Sequence, residues 1–107
     1  MRRGEVFRLR ASRGTRGQEQ SGQRYGVVLQ VDELLSLSTV IIAPTSTRAQ
    51  PASFRPEVEI DGQLTRVLVE QIGAVDPSRL GESYGLLAFD ELSEVDRALA
   101  VVVGLGA

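Results

Sequence analysis

Two residue types that carry much of protein chemistry are missing from this chain of 107 residues, which has neither cysteine nor histidine. Without cysteine there is no disulfide framework and no thiolate metal site. Without histidine there is no imidazole acid–base catalysis, and any metal site would be built from carboxylates alone. No metal and no cofactor is therefore expected. Tryptophan is absent, aromatic residues make up 5%, and all twelve cations are arginine. Long apolar runs are scarce as well. The most apolar one, ALAVVVGLGA at 98–107, is about half of the roughly 20 residues a membrane span needs. No apolar segment follows MRRGEVFRLR in the manner of a signal peptide, so no membrane association and a cytoplasmic location are expected.

What is present fits one globular domain over residues 1–107, with 42% hydrophobic and 24% charged residues. Formal charge is -2, but it is unevenly spread. Seven of the twelve arginines (Arg2, Arg3, Arg8, Arg10, Arg13, Arg16 and Arg24) lie in the first 24 residues, opposed there by Glu5 and Glu19 alone. The remainder holds five arginines against twelve acids. Such charge is ordinarily solvated loop charge, yet a basic end on an acidic body also makes a local positive face that net charge hides.

Residues 5–10 (EVFRLR) alternate polar and apolar, as in a half-buried strand. Residues 11–23 are rich in glycine, serine and charge and read as a loop, long enough to be functional or disordered. A central strand is expected at 24–31 (RYGVVLQV), with Gly26 as a candidate bend or bulge. One helical turn or a link follows at 32–38, then a β-branched strand at 39–43 (TVIIA) stopped by Pro44, and a loop at 45–53. Residues 57–60 and 65–69 form strands joined near Asp61-Gly62, a strong hairpin signal. A short strand at 71–75 precedes the turn Asp76-Pro77-Ser78. In the last segment Leu92, Val95, Leu99 and Val102 recur at three- and four-residue steps, which predicts an amphipathic helix ending before Gly104, with acids in its first turn. Several short strands and then one helix predict a small curled sheet or barrel with the helix packed against it.

Five pieces, in this order, resemble the MazF/PemK endoribonuclease toxins of type II toxin–antitoxin modules. RRGEVFRL at 2–9 is similar to the opening strand of that family, and GQEQSGQR at 17–24 resembles its Gly-Ser-Glu-Gln-x-Gly-x-Arg loop. VIIAPTSTR at 40–48 looks like its strand ending in Pro-x-Thr or Pro-Thr-Ser. VEQIGAVDPSRLG at 69–81 resembles its Glu-Gln-Ile-Arg-Thr-Ile-Asp segment, and the final helix with its Gly-Leu ending completes the match. The resemblance implies a mainly β fold, an SH3-like or CcdB-like curled barrel with a C-terminal amphipathic helix, acting as a homodimer. It also implies metal-independent, sequence-selective cleavage of single-stranded RNA, and a small cognate antitoxin whose flexible acidic tail occupies the RNA groove.

In cleavage of this kind the ribose 2′-hydroxyl attacks its own phosphodiester, so the protein aligns groups, neutralises the phosphorane and manages two protons. By resemblance Arg24 matches the catalytic arginine and Thr45 the catalytic Thr or Ser. The guanidinium fork suits phosphorane oxygens but is a poor proton shuttle, so Arg24 is assigned charge stabilisation. Glu19 is the carboxylate of the matching loop, as general base or loop-ordering residue. Arg13, Arg16, Tyr25, Arg48 and Gln71 are candidate RNA contacts, Tyr25 by stacking on a base or, more ordinarily, packing in its strand. Three departures accompany the match: Tyr25-Gly26 follows the arginine where proline is usual, Gln23 stands where some members have His, and Gly73 replaces a common Arg. These fit a second function, a non-catalytic member that binds antitoxin or RNA. A third, gyrase poisoning of the CcdB type, lacks its C-terminal tryptophan here.

Overall fold

In the computed structural model, residues 1–11 and 24–106 are described. The strongest local signal sets the first hairpin. Asp61 and Gly62 both take positive φ (53° and 78°), the requirement of a tight two-residue turn, and they join β4 (Glu57–Ile60) to β5 (Gln63–Val67) in antiparallel register. Around this hairpin a seven-stranded sheet assembles from β1 (Glu5–Leu9), β2 (Tyr25–Val28), β3 (Val40–Ser46), β6 (Gly73–Val75) and β7 (Leu80–Leu86). Its order is β4-β5-β3-β2-β1-β7, with β6 pairing β3 off that path. The fold is mainly β, a curled sheet with one C-terminal helix, α1 (Phe89–Val102).

α1 covers one face of the sheet as its periodicity predicts. Val95 and Ala98 are buried against Val6, Val27, Ala43, Val58, Val67 and Val69, and Leu92, Leu99 and Val102 pack half-buried beside them. Ala88 offers no capping side chain, but the Glu91 carboxylate accepts the Ala88 N–H at 3.1 Å and the Glu59 N–H at 2.9 Å. One side chain thus satisfies an orphan donor of the helix and one of the edge strand β4. A smaller cluster of Val28, Val40, Ile42 and Leu80, with Phe7 and Leu9, lies apart from the helix-covered core.

Several boundaries differ from the sequence-based expectation. β3 runs through Pro44 to Ser46 rather than stopping at it. Its outer edge pairs β6 at 40–42 and β5 at 45–46, so Pro44 falls where partners change and no N–H is needed, while its carbonyl accepts Leu68 N–H at 2.8 Å. Gly26 marks neither bend nor bulge, because the β1–β2 register is regular through it. A Cβ there would lie 2.9 Å from Leu9 Cδ2 and 3.2 Å from Ile42 Cδ1, so glycine makes room for Leu9 to cross the sheet. Residues 69–71 form a 3₁₀ turn where the strands expected at 65–69 and 71–75 nearly meet, and β7 is a strand that the sequence pattern does not predict.

Candidate functional site

The site forms where β1 ends and β2 begins. Arg24 immediately precedes β2, and its carbonyl accepts the Leu9 N–H at 2.9 Å, which fixes its backbone to β1. Its half-buried side chain crosses towards β3, and Nε donates to the Thr45 carbonyl at 3.2 Å. The terminal guanidinium nitrogens make no hydrogen bond or ion pair among the described residues. Thr45 is therefore beside Arg24, as the motif order implied.

The threonine hydroxyl is placed otherwise than expected. Thr45 is 1% exposed, and its Oγ1 accepts the Tyr25 N–H at 3.2 Å. That bond takes the place of a ladder bond just beyond the β2–β3 register, which ends at Gly26–Pro44, while the other edge of β3 pairs Thr45 with Val67. The hydroxyl is thus enclosed, bonded to the start of β2. Thr45 holds Arg24 through its carbonyl and the start of β2 through its hydroxyl. The hydroxyls next along the chain are Ser46, half-buried and accepting Arg48 N–H at 3.2 Å, and Thr47, which is exposed. Sequence reasoning passed over both, although they stand in the same PTST run.

Tyr25 is likewise enclosed. It is 7% exposed and meets Tyr84 edge-to-face, with centroids 5.1 Å apart at 77°. Burial, reinforced by Tyr84 and Asp61, pushes its phenol above the usual tyrosine range, with Arg8 opposing. Arg48 is exposed and makes no ion pair among the described residues. Gln71 is exposed at the end of the 3₁₀ turn Val69–Gln71, and its N–H donates to Leu68 O at 2.9 Å. Because Leu68 N–H binds Pro44 O, this turn is tied to β3 one residue from Thr45. Arg13, Arg16 and Glu19 lie outside the described residues. Among the described residues no cluster of three or more acidic side chains is placed to hold a metal ion.

A carboxylate that sequence reasoning missed braces the neighbourhood. Glu70 Oε2 accepts from Arg55 Nε at 3.0 Å and Nη2 at 2.6 Å, and this bond holds its carboxyl below the usual range. Arg55 Nη1 also reaches Gln50 O at 3.1 Å, and Arg66 Nη1 reaches Arg55 O at 2.9 Å. The connection between β3 and β4 is thereby clamped onto the 3₁₀ turn that carries Gln71. The basic N-terminal end is also partly spent on structure: Arg3 pairs Asp96 of α1 at 2.7 Å and donates to Leu29 O at 2.8 Å.

Comparison with known proteins gives this geometry a context. Residues 2–103 match the family described as PemK-like, MazF-like toxin of type II toxin-antitoxin system. A candidate toxin of Mycobacterium tuberculosis (strain ATCC 25618 / H37Rv) is 41% identical over 104 residues, covering 96% of this chain and 97% of the relative. Among solved structures, an endoribonuclease in complex with its cognate antitoxin, from a mycobacterial species, superposes with a TM-score of 0.81 at 16% identity, covering 100% of this chain and 98% of that one. MazF from Deinococcus radiodurans gives 0.77 at 24% identity, with 98% and 97% covered. At these identities the structural likeness bears on fold.

Proposed function

Because the chain belongs to the PemK-like, MazF-like toxins of type II toxin–antitoxin systems, we propose that it is an endoribonuclease that cuts single-stranded RNA selectively and without a metal. A small cognate antitoxin with a flexible acidic tail would hold it in check. Family membership and the named activity of structural neighbours support this reading. The observation that carries it is Arg24, a half-buried guanidinium held by one nitrogen, its terminal donors uncommitted among the described residues.

The substrate brings its own nucleophile, because the ribose 2′-hydroxyl attacks the adjacent phosphorus and the 5′-oxygen of the next nucleotide leaves. RNA is then told from DNA by that hydroxyl. As the phosphorane forms, charge grows on its non-bridging oxygens, and the Arg24 Nη donors are placed to bind them. Thr45 orients Arg24 with a carbonyl rather than contacting the phosphate. Glu19 would take the proton of the 2′-hydroxyl, and Ser46 and Thr47 would supply the hydroxyl contacts beside Arg24. Arg48 and Gln71 would line the groove. Two copies would assemble through the apolar residues exposed around the β3–β6 edge, including Leu34, Leu37 and Ile41. A second reading, binding of RNA or antitoxin without cutting, is favoured by the enclosed Thr45 hydroxyl.

Digestion of a long RNA in EDTA, with the cut ends sequenced, separates the two. Discrete cuts that Arg24→Ala lowers by about a hundredfold or more, the scale of losing one preorganised donor, support the nuclease. RNA left intact by the wild-type protein means binding alone.

A further inference from the structure

Arg55 and Glu70 touch none of the reacting groups named above, yet their bond joins two segments on which that chemistry draws. The first is the end of β3 and the connection leaving it, which carry Ser46, Thr47 and Arg48. The second is the 3₁₀ turn Val69–Gln71, which ends in Gln71. Arg55 Nε and Nη2 donate to Glu70 Oε2 at 3.0 and 2.6 Å, next to Gln71 in the chain. Arg55 Nη1 donates to the Gln50 carbonyl at 3.1 Å, close behind Arg48 in the chain.

A guanidinium is planar and holds its donors in a fixed fork, so one rigid group carries both the Gln50 carbonyl and the Glu70 carboxylate. Further bonds close the frame. Arg55 N–H donates to Ala52 O at 3.0 Å, and Arg55 O accepts Arg66 Nη1 at 2.9 Å. Leu68 N–H donates to Pro44 O at 2.8 Å, which ties the turn to β3 beside Thr45, whose carbonyl holds Arg24 Nε. A continuous set of hydrogen bonds therefore runs from both segments to Arg24.

Net stability is a weak reason to keep such a pair. Its side chains are 23% and 25% exposed, and apolar residues of similar size often replace an ion pair drawn that far from water without loss. Glu70 Oε1 is buried with no hydrogen-bond partner among the described residues, a further cost. What the pair supplies is a fixed separation between two exposed side chains, Arg48 and Gln71. We propose that Arg55 and Glu70 are positioning residues for substrate selection. They hold the segment 46–50 against the turn bearing Gln71, and so decide which RNA sequences seat with a phosphodiester at Arg24. The proposal rests on the endoribonuclease reading.

The test compares wild type, Arg55→Lys and Arg55→Met/Glu70→Met on one mixed-sequence RNA in EDTA, with kcat and KM read at each cut site. A panel of 2′-O-methylated oligonucleotides, which lack the nucleophile and stay uncut, reads selection by affinity alone. Lysine keeps a charge on Glu70 but cannot hold Gln50 O in the same plane. The methionine pair fills the space without charge, and it carries the test if Arg55→Lys fails to fold. In both variants KM at the preferred site should rise about tenfold with kcat little changed, the scale of one lost hydrogen bond. Preference over poorer sites and among the panel should fall by a similar factor. An equal loss of kcat at every site with the ranking kept means a merely structural pair and overturns the proposal, as does an unchanged KM and ranking in a folded variant. A wild type that cuts RNA with the variants' own ranking loses the positioning role alone. One that discriminates among the panel without cutting, and loses that discrimination in the variants, keeps the positioning role and loses the nuclease reading.

Discussion

At the residue scale the account turns on Thr45. Its sequence context, between Pro44 and Ser46 at the end of a β-branched run, marks a strand end bearing hydroxyls but not which hydroxyl faces solvent. That depends on β3 changing partners at Pro44, a tertiary event no local pattern encodes. A positioning role makes a distinct prediction. Thr45→Ser keeps the acceptor for Tyr25 N–H and should retain stability and cleavage rate. Thr45→Val removes that buried acceptor, which costs roughly 1–3 kcal/mol in chemical denaturation. It should also lower kcat with KM nearly unchanged, because Arg24 is misplaced rather than removed. A Thr45→Val protein as stable and active as wild type would refute the positioning role. Tyr25 is a related case: its place after Arg24 allowed either a base platform or packing in its strand, and it is buried against Tyr84 in a strand enclosed on both faces.

At the element scale, legibility followed local order. The Asp61-Gly62 turn and α1 were readable because turn chemistry and a 3.6-residue period are written in adjacent residues. β7 was not, because Gly81 and Gly85 interrupt LGESYGL and its pairing with β1 carries register shifts that break simple alternation. The Arg55–Glu70 clamp joins residues 15 apart on separate elements, and nothing in either segment announces the partner. Its electrostatics give a pH signature. Glu70 is held below its ordinary pKa by Arg55, so the clamp's contribution is complete above the unfolded carboxyl value of about 4.3 and fades as pH falls through the lower folded value. The difference in thermal midpoint between wild type and Glu70→Gln should be constant from pH 7 to 5 and shrink below pH 4. A gap that widens with acid would mean that Glu70 is not held as a charged partner of Arg55.

At the scale of the whole molecule, a chain of net charge -2 builds a cationic corner. Placing β1 between β2 and β7 brings Arg8, Arg10, Arg24 and Arg79 to one end of the sheet, while the acids of α1 lie on another element. Composition hinted at this through the arginines of the first 24 residues, but Arg79 joins them only through the fold. The family resemblance suggested Arg24 and Thr45 together, and the strand ends where β1, β2 and β3 meet hold them side by side.

The most direct test of that arrangement is single-turnover cleavage of one RNA in EDTA by wild type, Arg24→Lys and Arg24→Ala. Lysine keeps the charge but cannot bind the Thr45 carbonyl and fork onto a phosphate together. The account predicts that both variants lose about a hundredfold or more in rate with binding little changed in Arg24→Lys. Full cleavage by Arg24→Ala would contradict it.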